Sequence, residues 1–273
     1  MKNQIALITI SLLLVFLLFF FGRTIKNKEN LTNFMSDSGE FDVQAYINES
    51  KQRLMIIPKD SLALLESLFA SRKPDSSKLV YLSQIVNIWE NSGNFAVASE
   101  YQRRTAVFDS TSVQWEKAGD MLFEAFKTVP DTSVRSYLLQ RSIESFSNAS
   151  SIDTTNESAT IKLAETYIDG TNNIMAGVTL LLDVVKRNPE NISANLILGR
   201  LAVVSGQYDK AITRLTGILD REPENVEALF YIAGAFEKTG QKQKAISYYK
   251  ICQKLVKNPA INQQIDNYLK NLK

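Results

Sequence analysis

The strongest constraint on this chain is a periodicity. Residues 198–225 read LGRLAVVSGQYDKAITRLTGILDREPEN, and the same grammar returns 34 positions later: Gly206 becomes Gly240, Ala211 becomes Ala245, Ile212 becomes Ile246, and Pro189 precedes Pro223 by the same interval. Each proline is followed by Glu-Asn, so Asn191 and Asn225 are placed to cap a new helix just after proline has ended the last. Within the unit Asn195, Leu198, Gly199 and Ala202 share one helical face. Gly206 then permits a turn, and Ala211, Leu215 and Ile218 face back from a second helix. Small residues at Gly199 and Ala211 allow the two backbones to approach closely. One such pair cannot bury its apolar face alone, so the period predicts copies stacked side by side.

The unit from Val226 repeats the plan with Leu229, Ile232, Ala233, Phe236, Gly240, Ala245, Tyr249 and Cys252. Earlier segments fit it with departures: LVYLSQIVNIWENSGNFAVASEYQ through Leu82, Ile85, Trp89, Gly93, Phe95 and Ala98; WEKAGDML from Trp115 through Ala118 and Gly119; IKLAETY through Leu163, Ala164 and Tyr167. The second unit carries an insertion of about eleven residues near FKTVPDTSVRSYLL and puts Ser142 where alanine is usual; the third has Gly177 there. These residues resemble the tetratricopeptide repeat family. The resemblance implies an all-α helical solenoid of about five helix pairs. The units are expected at 79–111, 112–156, 157–191, 192–225 and 226–259, with a capping helix at 260–273 whose inner face is Ile261, Ile265, Tyr268, Leu269 and Leu272.

Ahead of the array, residues 41–71 suggest a helical hairpin. Phe41, Val43, Tyr46, Ile47 and Leu54 share one face, Pro58 ends the first helix, and Asp60 caps a second that carries Leu62, Leu64, Leu65, Leu68 and Phe69. Residues 22–40 are polar and read as a tether, after a short flank at 1–4 and a 17-residue uncharged run, IALITISLLLVFLLFFF, at 5–21. As a helix that run spans about 26 Å, close to a bilayer's hydrocarbon thickness. It lacks a small-residue cleavage site, so the expectation is an uncleaved, single-pass transmembrane signal-anchor in a bacterial inner membrane, set against a cleaved signal peptide. Lysine and arginine counting favours a cytoplasmic body, whereas the layout of the N-terminus favours export to the periplasm, which is the expectation adopted.

Composition narrows the chemistry. Lysine and arginine total 31 against 29 acids, a net charge of +2, which provides no overall basic field for nucleic acid. There is no histidine and one cysteine, Cys252, which removes imidazole catalysis, intrachain disulfides and the commonest zinc ligand set. Cys252 stands at a packing position. No cofactor, metal site or small-molecule substrate is indicated, and the reading is non-catalytic.

The family resemblance implies binding of a protein or peptide along the concave face lined by the first helix of each pair. By repeat position that face takes Asn87, Glu116, Asp120, Glu124, Ile161, Glu165, Asp169, Leu196, Arg200, Val203, Phe230 and Glu237. Glu116, Asp120 and Glu124 recur every four residues, one acidic stripe that suits a basic or apolar-basic segment and would equally serve as a solvated helix face. Two functions stay open: a membrane-anchored interaction scaffold, or a client-binding chaperone or subunit of an envelope assembly, export or cytochrome-maturation machine.

Overall fold

A computed structural model describes residues 41–71 and 77–272, which form thirteen α-helices and no strand. The transmembrane and tether expectations for residues 5–21 and 22–40 lie outside the described residues. No described helix is long and apolar enough to cross a membrane.

The paired helices are α3 (Ser77–Asn91) with α4 (Phe95–Asp109), α5 (Ser112–Thr128) with α6 (Thr132–Ile152), α7 (Glu157–Gly170) with α8 (Ile174–Arg187), α9 (Ile192–Val204) with α10 (Tyr208–Leu219), and α11 (Val226–Lys238) with α12 (Lys242–Leu255). Each of these helices packs on its sequence neighbour, and two first helices also touch the next first helix, α5 on α7 and α9 on α11. That stacking in one direction is a solenoid.

Local chemistry explains the punctuation. The Asn191 and Asn225 side chains accept the amides of Ala194 at 2.8 Å and Ala228 at 3.0 Å, capping α9 and α11; Asn94, Asn156 and Asn173 do the same for α4, α7 and α8. Gly93, Gly206 and Gly240 turn their pairs at φ of 76°, 76° and 75°, a left-handed backbone that a Cβ penalises. The insertion in the second unit is absorbed as length: α5 runs 17 residues and α6 21.

Burial follows the repeat. Ala211, Leu215, Ile218, Leu229, Ala233, Ala245, Tyr249 and Cys252 lie in one continuous core that joins the last two pairs. Burial pushes the Cys252 thiol upward, so it remains protonated as a packing residue. Helix α13 (Pro259–Asn271) closes this end, capped by Asn258 with Pro259 in its first turn. Ile265 and Leu272 are buried beneath it, while Ile261 is 40% exposed and leaves the expected inner face.

The N-terminal segment differs most from expectation. Helix α1 (Val43–Gln52) ends before Pro58, and α2 (Ile56–Ala70) starts two residues ahead of it, so Pro58 sits in the first turn of α2 and Asp60 lies inside that helix rather than capping it. Proline fits there because first-turn amides have no intrahelical acceptor to lose. Leu64 is 60% exposed and Leu68 37% exposed, leaving Leu62 and Leu65 as the buried residues of α2. Helix α1 reaches across α4 and α6: Phe41, Val43 and Tyr46 pack with Ala96, Val134 and Tyr137, while Ile47 joins Leu62 and Trp89. Lys51 Nζ pairs with Glu66 of α2 at 2.7 Å.

Candidate functional site

The row built by the first helices carries charges in a pattern that repeat position alone does not reveal. On α5, Glu116 and Asp120 are already engaged. Lys162 of α7 reaches both, at 2.9 Å to Glu116 and 2.7 Å to Asp120. Glu116 also accepts hydrogen bonds from Asn156 Nδ2 at 2.8 Å and Ser158 Oγ at 2.7 Å. Partial burial opposes its charge, but the Ser158, Asn156 and Lys162 hydrogen bonds outweigh that and hold its carboxyl below the usual range. Glu124, exposed, pairs with Lys127 on its own helix. Glu116 and Asp120 are therefore neutralised from the neighbouring repeat, and Glu124 from its own helix.

A charge that lacks a donor among the described residues lies on the next first helix, α7. Glu165 of α7 is partly buried, and no side chain among the described residues donates a hydrogen bond to it. Burial raises its pKa above the ordinary carboxylate value and the Asp169 charge adds to the rise. Arg200 and Lys162 oppose this, and Glu227 of α11 contributes a weaker push upward. Asp169 is exposed and faces Arg200 of α9 at 3.8 Å, a contact near the limit for an ion pair.

The other candidates divide into surface and core. Asn87 of α3 is exposed. Ile161 is 8% exposed and packs with Ala164, Leu181 and Ile197, so it offers little surface to a ligand. Leu196 and Val203 of α9 are partly buried against the C-terminal core. Phe230 of α11 sits edge-on to Tyr231, Tyr249 and Tyr268 at centroid separations of 5.7, 6.0 and 6.0 Å. Glu237 accepts the Tyr249 hydroxyl at 3.1 Å. The C-terminal end of the row is thus apolar and aromatic, and its middle is acidic at Glu165 and Asp169.

Sequence reasoning missed Lys162 and Glu227. Both matter only through the offset between successive first helices, and spacing within one repeat carries no signal of that offset. Among the described residues no group of three or more acids or cysteines is arranged to hold a metal ion.

The fold defines a class, the helix-pair solenoids. Within that class residues 196–254, spanning most of α9 through α12, match the model of the tetratricopeptide repeat family, and the array as a whole has the tetratricopeptide-repeat type of solenoid fold. Among solved structures, PilW, described as a widely conserved type IV pilus biogenesis factor, superposes with a TM-score of 0.56 at 17% identity over 72% of this chain and 87% of PilW. A MamA protein superposes with a TM-score of 0.52 at 20% identity over 66% of this chain and 93% of that one. MamA from Desulfovibrio magneticus RS-1, beginning at its residue 41, gives 0.52 at 15% identity over 66% and 96%. No curated protein matches the chain significantly in sequence.

Proposed function

We propose that this chain is a non-catalytic scaffold that holds a protein or peptide segment along the first-helix row. Glu165 carries the reading. A partly buried carboxylate without a donor, with a second acid beside it, is costly unless a cation arrives to face it. A segment with a lysine or arginine beside apolar residues would supply that cation to Glu165 and Asp169, and its apolar residues would lie toward Leu196, Val203 and Phe230. The run at 5–21 would anchor the protein in a bacterial inner membrane with the body in the periplasm; an alkaline phosphatase fusion after Lys273 is then active, and a stable but inactive fusion reverses the orientation.

A fluorescein-labelled peptide of alternating leucine and lysine, read by anisotropy with the full chain in detergent, tests the row. Glu165→Gln should weaken binding several-fold, and Asn87→Ala should leave it unchanged. Equal affinity for wild type and Glu165→Gln would discard the proposal.

A second reading, a chaperone for unfolded clients or a subunit of an envelope assembly machine, draws on another surface. A hollow of about 910 Å³ lies among the α1–α2, α3–α4 and α5–α6 connections, with Met55 77%, Ile57 80% and Phe95 52% exposed at its edge. Exposed aliphatics at a groove suit apolar client segments. Crosslinking in cells separates the two readings: a few stoichiometric partners fit a scaffold, and many substoichiometric ones fit a chaperone.

A further inference from the structure

The partly buried arginines among the described residues follow a rule with one exception. Arg103 and Arg104 pair with Glu100 at 2.8 and 3.1 Å, Arg141 with Glu144 at 2.6 Å, and Arg200 with Asp169 at 3.8 Å. Arg214 of α10 is also partly buried, yet no carboxylate among the described residues pairs with it. Its Nη1 donates to Asn195 Oδ1 at 2.8 Å. Asn195 is itself fixed, because its Nδ2 donates to the carbonyls of Pro189 and Asn191, each at 2.9 Å. The guanidinium is therefore held in place, and the rest of its donor fork has no anion to meet.

Arg214 lines a cleft of about 510 Å³ between α10 and the α8–α9 connection. None of the row residues from Glu116 to Glu237 lines it. Its walls carry three cations, Lys210, Arg214 and Arg221, against two carboxylates, Glu190 and Asp209. Arg221 is paired with Glu190, and Lys210 Nζ donates to Gln207 Oε1 at 2.8 Å. Val185, Ile192 and Ile218 supply apolar wall beside the charges. Burial alone lowers the Arg214 pKa, with no neighbouring charge entering to restore it.

We infer that this cleft is a second binding site, which takes one carboxylate of an acidic-apolar segment of a partner protein onto Arg214. The single-cation excess fits one acid and disfavours a polyanion, and the apolar wall fits the flanking side chains. The site is independent of the first-helix row.

The probe is a fluorescein-labelled peptide, Ser-Gly-Ile-Glu-Leu-Gly-Ser, with its glutamine counterpart, read by anisotropy against the full chain in detergent. The glutamate peptide should bind roughly ten-fold or more tightly than the glutamine peptide, and Arg214→Gln should lose the same factor. Arg214→Lys, which keeps the charge, should retain part of the affinity, and Arg187→Gln and Glu165→Gln should leave it unchanged. Circular dichroism checks that each variant folds. Equal binding of the two peptides, undiminished binding by Arg214→Gln, or no binding at millimolar peptide would overturn the inference. So would acetate competing at the same concentration as the peptide, which marks a simple anion site, or self-association abolished by Arg214→Gln, which marks a second copy as the occupant.

Discussion

Gly177→Ala isolates how closely α7 and α8 approach. Alanine is the usual residue of the repeat at this position, and in the interior of a helix it is favoured over glycine by about 1 kcal/mol. Propensity alone therefore expects the substitution to stabilise. The structure expects the reverse. A Cβ at Gly177 would stand 2.5 Å from the carbonyl oxygen of Ala164 and 2.7 Å from Cγ1 of Ile168. The first of these is backbone of α7, so relief requires the two helices to part by roughly half an ångström, which disturbs the contacts of Leu181 and Val184 with Ala164. Overpacking of this kind costs about 1–3 kcal/mol, which leaves a net loss of up to about 2 kcal/mol. Gly170→Ala is the control. Its Cβ would meet Leu139 Cδ1 at 2.4 Å, but that methyl is the end of a rotatable side chain and the next nearest atoms are 3.6 Å away, so the change should lie within about 0.5 kcal/mol of neutral. Thermal unfolding followed by circular dichroism should place Gly177→Ala several degrees below Gly170→Ala, at about 2–4 °C per kcal/mol for a chain of this size. If Gly177→Ala unfolds at the same temperature as Gly170→Ala or above it, the helices are not in the contact described.

Ser142→Ala should stabilise by about 0.5–1.5 kcal/mol in the same assay, because the Ser142 hydroxyl is fully buried without a hydrogen-bond partner and alanine removes it at little change in volume. Lys162→Met should lower stability by about 1 kcal/mol, since it leaves Glu116 and Asp120 facing each other without their cation, and it should tighten binding of the leucine-lysine peptide by unmasking them. The pH dependence follows Glu165. Its folded pKa is raised, so the unfolded chain gives up this proton first, and its contribution to stability declines as pH rises from the ordinary carboxylate value through the raised one. Glu165→Gln should remove that decline from a plot of unfolding temperature against pH, while binding of the basic peptide by wild type should fall off at a higher pH than an ordinary carboxylate would give; an unchanged plot for Glu165→Gln counts against the assignment.

The array was legible because its signals are local. Asn191 and Asn225 cap the amides three residues on, Gly206 and Gly240 turn within one residue, and Ala211 and Ala245 meet helices from the same unit. The N-terminal helices were less legible because what settles them is distant in sequence. Pro58 reads as a helix terminator from its neighbours alone, but it is equally compatible with a first turn, and the choice depends on α1 leaving to pack across α4 and α6. The same holds for Leu64 and Leu68, which fit the apolar pattern of α2 yet stay exposed among the described residues.

Charge was the least legible layer, and the reason bears on function. In a solenoid each first helix lies beside the next, so a charge there can be answered by a residue about one repeat away: Lys162 meets Glu116 and Asp120, and Arg200 faces Asp169. These links cross from one pair to the next, so a charge whose spacing looks like a binding stripe can already have a partner in the neighbouring repeat. Side chains that neighbouring repeats leave unanswered are then the informative ones. Glu165 is a carboxylate on the first helices to which no described side chain donates a hydrogen bond, and Arg214 is a cation on a second helix that no described carboxylate pairs with. A ligand for one must bring the opposite sign from a ligand for the other, so two different partners, or two segments of one partner, can occupy the array without competing for the same charge.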